Sequence, residues 1–340
     1  MASNDAYHEL SFLRSTWNKF RVVGINPRYL NYRLKWNLLG KYPLKTRVPI
    51  HVDIELSSFC NIKCIMCPQG KEDYEVIKRG LMDFELARKV IQECAEFGVT
   101  SLKFSGRGEA MLHPKFEYLI KYAKSLGILD VMFNTNGLML NEEMIRNVVD
   151  AGVDLTIISI DGATKETYEK IRIGGDFNTL KNNIEYIVNY RKEAKCVKPI
   201  IRLQFVKMKE NIHEFKKFQD MWGKKVDVLV GLDYSNRIGQ KSRSIESRLQ
   251  IGRAYCPHPW RRLTVTSSGM ALMCCVDWDI KYSVGDCSKQ SIYEIWNSDK
   301  MEYGRKCIKN LEHHKIPSCR DCPAPVSYKW RKNEDGGVNT

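Results

Sequence analysis

No stretch of the 340-residue chain approaches the roughly 18 consecutive apolar residues needed to cross a bilayer. The N-terminus also lacks the basic-then-apolar layout of a secretory signal, because charges and aromatics interleave from Glu9 onward. Nor is there an internal repeat beyond an alternation of strand-like and helix-like stretches. These absences leave a cytoplasmic location as the expectation. Thiols are kept reduced there, so the twelve cysteines do not read as a disulfide framework. Clustered cysteines in that compartment more often bind metal.

Negative charge is also in short supply. There are 54 Lys and Arg against 40 Asp and Glu, a formal charge of +14. Half of that excess lies in residues 1–48, with nine basic and two acidic residues. Such an excess suits a phosphorylated or otherwise anionic substrate, nucleic acid or an anionic membrane surface. A solvated basic face that favours solubility is the equal alternative.

What is present divides into parts. Residues 1–48 read as a basic helical extension. Leu10, Leu13, Trp17 and Phe20 recur at helical spacing. Asn26 followed by Pro27 is a helix start, Gly40 a stop, and Leu30, Leu34 and Leu38 mark one face between them. The short stripes favour an extension that caps a barrel end. Over 49–231, strands are predicted at His51–Leu56, Ser101–Ser105, Asp130–Thr135, Asp154–Ile160, Ile200–Val206 and Val226–Gly231. Helical patterns fall between them, at Phe84–Phe97, Lys115–Leu126, Glu142–Ala151, Leu180–Tyr190 and Asn211–Trp222. Six β/α units with short connections indicate a parallel sheet under helices, an α/β fold. Six are too few for a complete eight-stranded barrel, so a partial (β/α)6 TIM-like barrel is expected. Residues 232–255 are polar and aperiodic, and read as a linker. A small cysteine-rich unit follows over 256–330, and 331–340 reads as a disordered tail.

The first strand leads into Cys60-Asn-Ile-Lys-Cys64-Ile-Met-Cys67. Three thiolates this close can reach three corners of a [4Fe–4S] cube, which ordinarily takes four cysteines. No fourth lies nearby, so one iron is left open to another ligand, as in catalytic metal centres. A structural zinc site with a distant fourth ligand is the competing reading. The second strand ends in Ser105-Gly106-Arg107-Gly108-Glu109-Ala110, the third in Asn134-Thr135-Asn136-Gly137 and the fourth in Ser159-Ile-Asp161-Gly162. Parallel β/α folds build active sites at these strand ends.

The CxxxCxxC after the first strand resembles the signature of the radical S-adenosylmethionine (SAM) superfamily. In that family the open iron binds the amino and carboxylate groups of SAM, and reductive cleavage of the sulfonium releases a 5′-deoxyadenosyl radical. Met66 departs from the aromatic residue usual before the last cysteine. Gly108 and Glu109 are similar to the Gly-Gly-Glu-Pro motif that orients the SAM amino group, with Ala110 in place of Pro. The resemblance covers about residues 50–231. It implies that Asn136, Ser159 and Arg172 contact SAM, with Gln204 and Val206 near the adenine.

The C-terminal unit contains Cys256-Pro-His-Pro-Trp260, Gly269, Cys274-Cys275, Cys287, Cys307 and Cys319-Arg-Asp-Cys322. Four of these thiolates suit either a second cluster or a four-cysteine zinc site. In the presence of the first motif, the unit resembles the SPASM or shorter twitch extension of radical SAM enzymes. Ile295-Trp296-Asn297 belongs to the same likeness. No cysteine follows Cys322, which implies one auxiliary cluster, ligated by Cys256, Cys274, Cys319 and Cys322. The choice of Cys274 over Cys275 rests on its spacing from Gly269. Cys275, Cys287 and Cys307 remain as candidate hydrogen-atom donors or as packed thiols. Cys94 and Cys196 read as small buried hydrophobes.

A single auxiliary cluster on such a barrel resembles the dehydrogenases that oxidise a sugar or cyclitol alcohol. The expectation is therefore oxidation or epimerisation of a carbohydrate-like small molecule, served by two [4Fe–4S] clusters, SAM and a reductant such as flavodoxin or ferredoxin. Maturation of a ribosomally made peptide is a second reading, weakened by an N-terminal extension short for a peptide-binding domain. A non-catalytic iron–sulfur or zinc protein that stacks nucleic acid on Trp17, Tyr29, Tyr32 and Trp36 is a third. The strand-end motifs speak against it.

Overall fold

The computed structural model describes residues 26–70, 79–234, 255–320 and 322. The stripe at Leu10, Leu13, Trp17 and Phe20, residues 235–254 of the linker and the 331–340 tail lie outside the described residues.

Six strands run parallel. They are β1 (His51–Ile54), β3 (Ser101–Phe104), β4 (Asp130–Thr135), β5 (Leu155–Ser159), β7 (Ile200–Lys207) and β8 (Val228–Asp233). They pair in the order β1-β3-β4-β5-β7-β8. Each follows its predecessor through a helix, as right-handed parallel crossovers require. The helix Phe84–Glu96 illustrates why. The Asp83 side chain caps it by accepting from Leu86 N at 3.0 Å, and Ala87, Val90, Ile91 and Cys94 fall on one buried face. Burial of each of the two branched aliphatics contributes about 1.5–3 kcal/mol.

The C-terminal unit does not stand apart from this sheet. The strand β9 (Arg262–Val265) pairs parallel with the free side of β1, His51 opposite Arg262 and Ile54 opposite Val265. Beyond it, β10 (Met270–Leu272) and β11 (Ser283–Asp286) run antiparallel, making a nine-stranded sheet. The sheet stays open, with β8 at one edge and β11 at the other. A short ladder joins β2 (Lys63–Cys64) to β6 (Arg172–Ile173).

Period-2 alternation sorts the side chains. Val52, Ile54, Leu102, Phe104, Ile158 and Leu203 point to the helices and are fully buried. The alternate positions point inward and are largely polar: His51, Asp53 and Glu55 on β1, Lys103 on β3, Arg202 and Gln204 on β7. Even the apolar inner residues keep some contact with solvent: Met132 at 7%, Leu155 at 5%, Ile157 at 4% and Ile200 at 3%. A closed barrel fills this space with packed side chains; here Met132, Leu155, Ile157, Ile200 and Val228 pack together, and the side of the open sheet where Lys103, Arg202 and Gln204 stay half-buried is the lumen.

The helix Pro27–Lys41 covers the end of the lumen where the strands begin. Asn26 caps it, Oδ1 accepting from Arg28 N at 2.9 Å and Tyr29 N at 3.4 Å. Its inward face is aromatic rather than leucine-rich. Tyr29, Tyr32 and Leu39 are buried, and the Trp36 ring meets His51 edge-on at 5.9 Å. Leu30, Leu34 and Leu38, the face expected from the sequence, are 38%, 58% and 39% exposed. The reason is that Trp36 stacks under Arg261 and Arg262, at 4.8 and 5.5 Å, and this turns the leucines outward.

Candidate active site

The first cysteine loop leaves β1 and is held by the β2–β6 ladder, in which Cys64 lies opposite Arg172. The ladder brings Arg172 Nη1 to 3.7 Å from Cys64 Sγ. From the end of β4, Asn136 Nδ2 reaches Asn61 Oδ1 at 2.7 Å and Cys60 Sγ at 3.9 Å. Gln69 Nε2 stitches the loop to the next one, donating to Ser58 O at 2.9 Å and Arg107 O at 2.5 Å. Burial pushes the Cys64 thiol up to about 12 against the pull of Arg172, and Cys67 and Cys60 push the same way. Three soft sulfurs on one loop, flanked by donors that favour thiolates, fit three corners of an iron–sulfur cube.

The glycine-rich turn after β3 is shaped by a residue that sequence reasoning missed. Glu55, 2% exposed, takes a two-pronged grip from Arg107, with Nε to Oε2 at 2.9 Å and Nη2 to Oε1 at 2.6 Å. It also accepts from Arg107 N at 2.7 Å, and from the N and Oγ of Ser267 at 3.1 and 3.0 Å. A Cβ on Gly106 would stand 2.4 Å from Glu55 Cγ, and one on Gly108 2.2 Å from Phe59 O. Both positions therefore need glycine for close approach. Glu109 follows, 3% exposed, with Oε2 accepting from Asn136 N at 2.8 Å and Oε1 from Met111 N at 3.4 Å. Burial lifts its carboxyl to about 7, although those donors pull it down.

Arg172 is anchored by protein groups. Its Nη2 pairs with Asp161 Oδ2 at 2.5 Å, and Asp161 is fully buried. The other oxygen of Asp161 accepts from Val206 N at 2.7 Å, and Asn211 Nδ2 bridges Asp161 O and Val206 O at 2.9 Å each. Glu214 clamps the same turn through Ala163 N at 2.6 Å and the hydroxyls of Thr164 and Thr167 at 2.5 and 2.7 Å. Nη1 and Nη2 of Arg172 thus meet Cys64 and Asp161, while its buried Nε has no partner, and the N–H of Val206 is taken by Asp161. Ser159 and Gln204 face the lumen, half-buried, opposite each other across β5 and β7.

The second cysteine set gathers by burial. Cys256 and Cys319 are raised to about 11 and about 12, burial leading, with the charge of Cys322 adding to both. The donor atoms of His258, Cys274 and Cys275 all lie within 4.8 Å of one another. The structure therefore brings both members of the Cys274-Cys275 pair to the site, together with a histidine that sequence reasoning passed over. Arg262 Nη1 links this site to the lumen, 3.6 Å from Cys275 Sγ and 3.3 Å from Asp53 Oδ2. Five thiols suffice for four-cysteine ligation of a cluster. Cys287 and Cys307 lie in the core instead. Cys287 abuts Cys94 of the outer helix Phe84–Glu96, and Cys307 lies in the helix Asp299–Lys309 near Tyr282.

A family model described as the radical SAM superfamily matches residues 54–221, and one described as an iron–sulfur cluster-binding domain, SPASM, matches 256–323. The chain belongs to the radical SAM superfamily. Radical SAM proteins with this second domain take SAM and [4Fe–4S] clusters as cofactors, and thiolates are the donors such clusters take. The radical SAM chain is 24% identical over 330 residues to the tungsten-containing aldehyde ferredoxin oxidoreductase cofactor-modifying protein of Pyrococcus furiosus, across 83% of this chain and 89% of that one. Among solved structures, BtrN in complex with AdoMet and 2-DOIA superposes with a TM-score of 0.56 at 20% identity, over 82% of this chain and 94% of BtrN. Streptococcus suis SuiB bound to its precursor peptide SuiA gives 0.62 at 15%, over 87% of this chain and 76% of SuiB. At these identities the structural likeness speaks of fold alone. Among the described residues, no helix is long and apolar enough to cross a membrane.

The residues that sequence reasoning missed did leave a signal. Strands of a parallel sheet buried on both faces read as continuous apolar runs. His51-Val-Asp53-Ile-Glu55 and Ile200-Ile-Arg202-Leu-Gln204 alternate instead, and alternation in such a sheet marks a polar lumen.

Proposed function

We propose that this radical SAM enzyme oxidises or epimerises a carbohydrate-like small molecule held in the lumen. The observation that carries the reading is the polar inner face of the sheet, joined to the second cysteine set through Arg262. With clusters and SAM bound, the site supplies one-electron chemistry: reductive cleavage of SAM, hydrogen-atom abstraction from substrate and an electron acceptor beside it. In this reading Cys60, Cys64 and Cys67 hold the SAM cluster. Cys256, Cys274, Cys319 and Cys322 hold the auxiliary cluster. Glu109 receives the SAM amino group, and Asn136 fixes the Cys60–Asn61 turn. Arg172, braced by Asp161, stabilises the Cys64 thiolate, while Gly108 lets the turn approach. Ser159, Gln204 and Val206 border the SAM pocket. Because Cys287 and Cys307 lie in the core, Cys275 is the remaining hydrogen-donor candidate. Twelve cysteines, none of them in a disulfide, suit a reducing, cytoplasmic setting with a flavodoxin- or ferredoxin-like reductant.

The test is iron and sulfide content after anaerobic reconstitution, read with 5′-deoxyadenosine release under a chemical reductant. About eight irons per chain, falling to about four in the Cys60/Cys64/Cys67 triple Ala variant, are expected. About four falling to none would remove the auxiliary electron acceptor and with it the oxidation. Stoichiometric zinc without reconstitutable iron would return the chain to a non-catalytic role. Deuterium transfer from a labelled carbinol carbon into 5′-deoxyadenosine separates a carbohydrate-like substrate from a peptide.

A further inference from the structure

Among the described residues, the inner face of the sheet holds the cations Lys103, Arg202 and Arg262. Of these, among the described residues, Arg262 alone makes an ion pair, with Asp53, whose other oxygen lies 3.3 Å from His51 Nε2. Burial lowers His51, so it is neutral and adds no charge. Lys103 lies opposite Asp53 in register, yet among the described residues its ammonium makes no ion pair. Arg202 donates from Nη2 to Gln204 Oε1 at 3.2 Å, a neutral partner, and its buried Nε has none. The buried Thr264 hydroxyl, opposite Asp53, also lacks a partner and can donate. Burial pulls both Lys103 and Arg202 below their ordinary values; for Lys103 the charge of Asp53 opposes this and those of Arg262 and Arg202 add to it.

Half-buried cations without a paired anion weaken a fold, and proteins pair them or use them. The apolar wall of Leu155, Ile157 and Ile200 next to Arg202 supplies no charge. A small oxyanion would satisfy both groups, one through the planar fork of a guanidinium and one through a point charge. We propose that Lys103 and Arg202 form the anion-binding half of the substrate site, and that the substrate carries a carboxylate or phosphate group. This rests on the reading above of a small molecule in the lumen.

The experiment uses the full chain with its clusters reconstituted anaerobically. Inorganic phosphate and acetate are titrated calorimetrically, with and without saturating SAM, in wild type, Lys103→Met and Arg202→Met. Saturable binding of one anion is expected, undisturbed by SAM and weakened at least tenfold in each variant. Preference for phosphate or for acetate tells the two headgroups apart. Each variant should also leave the urea midpoint of the SAM-free protein unchanged or raise it, since a half-buried charge without an ion pair is removed. Three outcomes overturn the proposal: neither anion binds wild type, affinity is unchanged in both variants, or SAM displaces the anion. The last would assign the cations to the SAM carboxylate. SAM cleavage on the same preparation is scored separately: anion binding without cleavage refutes the radical reaction and leaves the anion site standing.

Discussion

Glu55 and Arg107 offer the sharpest test of how the site is held, because both are buried and their opposite charges meet in a two-pronged grip. Glu55 joins three segments that are far apart in sequence: the end of β1, the glycine-rich turn and the β9–β10 turn at Ser267. Replacing it by leucine would strip that carboxylate from a guanidinium with 6% exposure. Breaking a buried pair from one side costs about 3–5 kcal/mol. Arg107→Met should sit at the lower end, since the carboxylate would keep the Ser267 and backbone donors. The double variant removes both charges together and should cost only about 1–3 kcal/mol, from the backbone donors left unpaired. The predicted coupling is therefore at least ~2 kcal/mol. Urea unfolding followed by circular dichroism, under anaerobic reducing conditions, measures all three. Single variants each costing less than ~1 kcal/mol, or strictly additive costs, would refute the argument that this pair is a buried clamp.

Other expectations follow from the same geometry. Glu109 has its carboxyl lifted to about 7, so the folded state binds that proton more tightly than the unfolded chain. The SAM-free protein should lose stability as pH rises from the ordinary carboxylate range towards 7, and Glu109→Gln should remove that slope. An ionised Glu109 accepts better from an amino group, so SAM affinity in wild type should fall about tenfold between pH 8 and pH 6. Equilibrium binding that is equally pH-dependent in Glu109→Gln would assign the titration elsewhere. Gly108→Ala places a methyl 2.2 Å from Phe59 O and must displace the Cys60 loop. It should abolish SAM cleavage while the auxiliary iron, counted in the Cys60/Cys64/Cys67 background, is retained. Asn26→Ala removes the cap of the lumen-covering helix and should cost about 1 kcal/mol in urea unfolding, with cleavage intact.

Much of this protein is written locally. The six parallel strands and the helices between them follow from period-2 and period-3.6 patterns, and the structure places them within a few residues of expectation. The Cys60–Cys64–Cys67 loop is equally legible, because spacing on one loop determines which sulfurs can meet. The same holds for the glycine turn and Glu109, where the chain itself carries the constraint. What the sequence could not decide is which distant segment completes each pairing. The free side of β1 takes β9 because a parallel strand needs a hydrogen-bonding partner, and nothing in His51–Ile54 names Arg262–Val265 as that partner. That choice sets Ser267 on Glu55 and Arg262 between Asp53 and Cys275. It also turns Trp36 inward and Leu34 outward, against the stripe the helix displays by itself. The engagement of Arg172 by Asp161, and the lack of an ion pair at Lys103 and Arg202 among the described residues, are likewise properties of the lumen. Charge balance in a buried space depends on every side chain that faces it, and only the tertiary structure brings those side chains together.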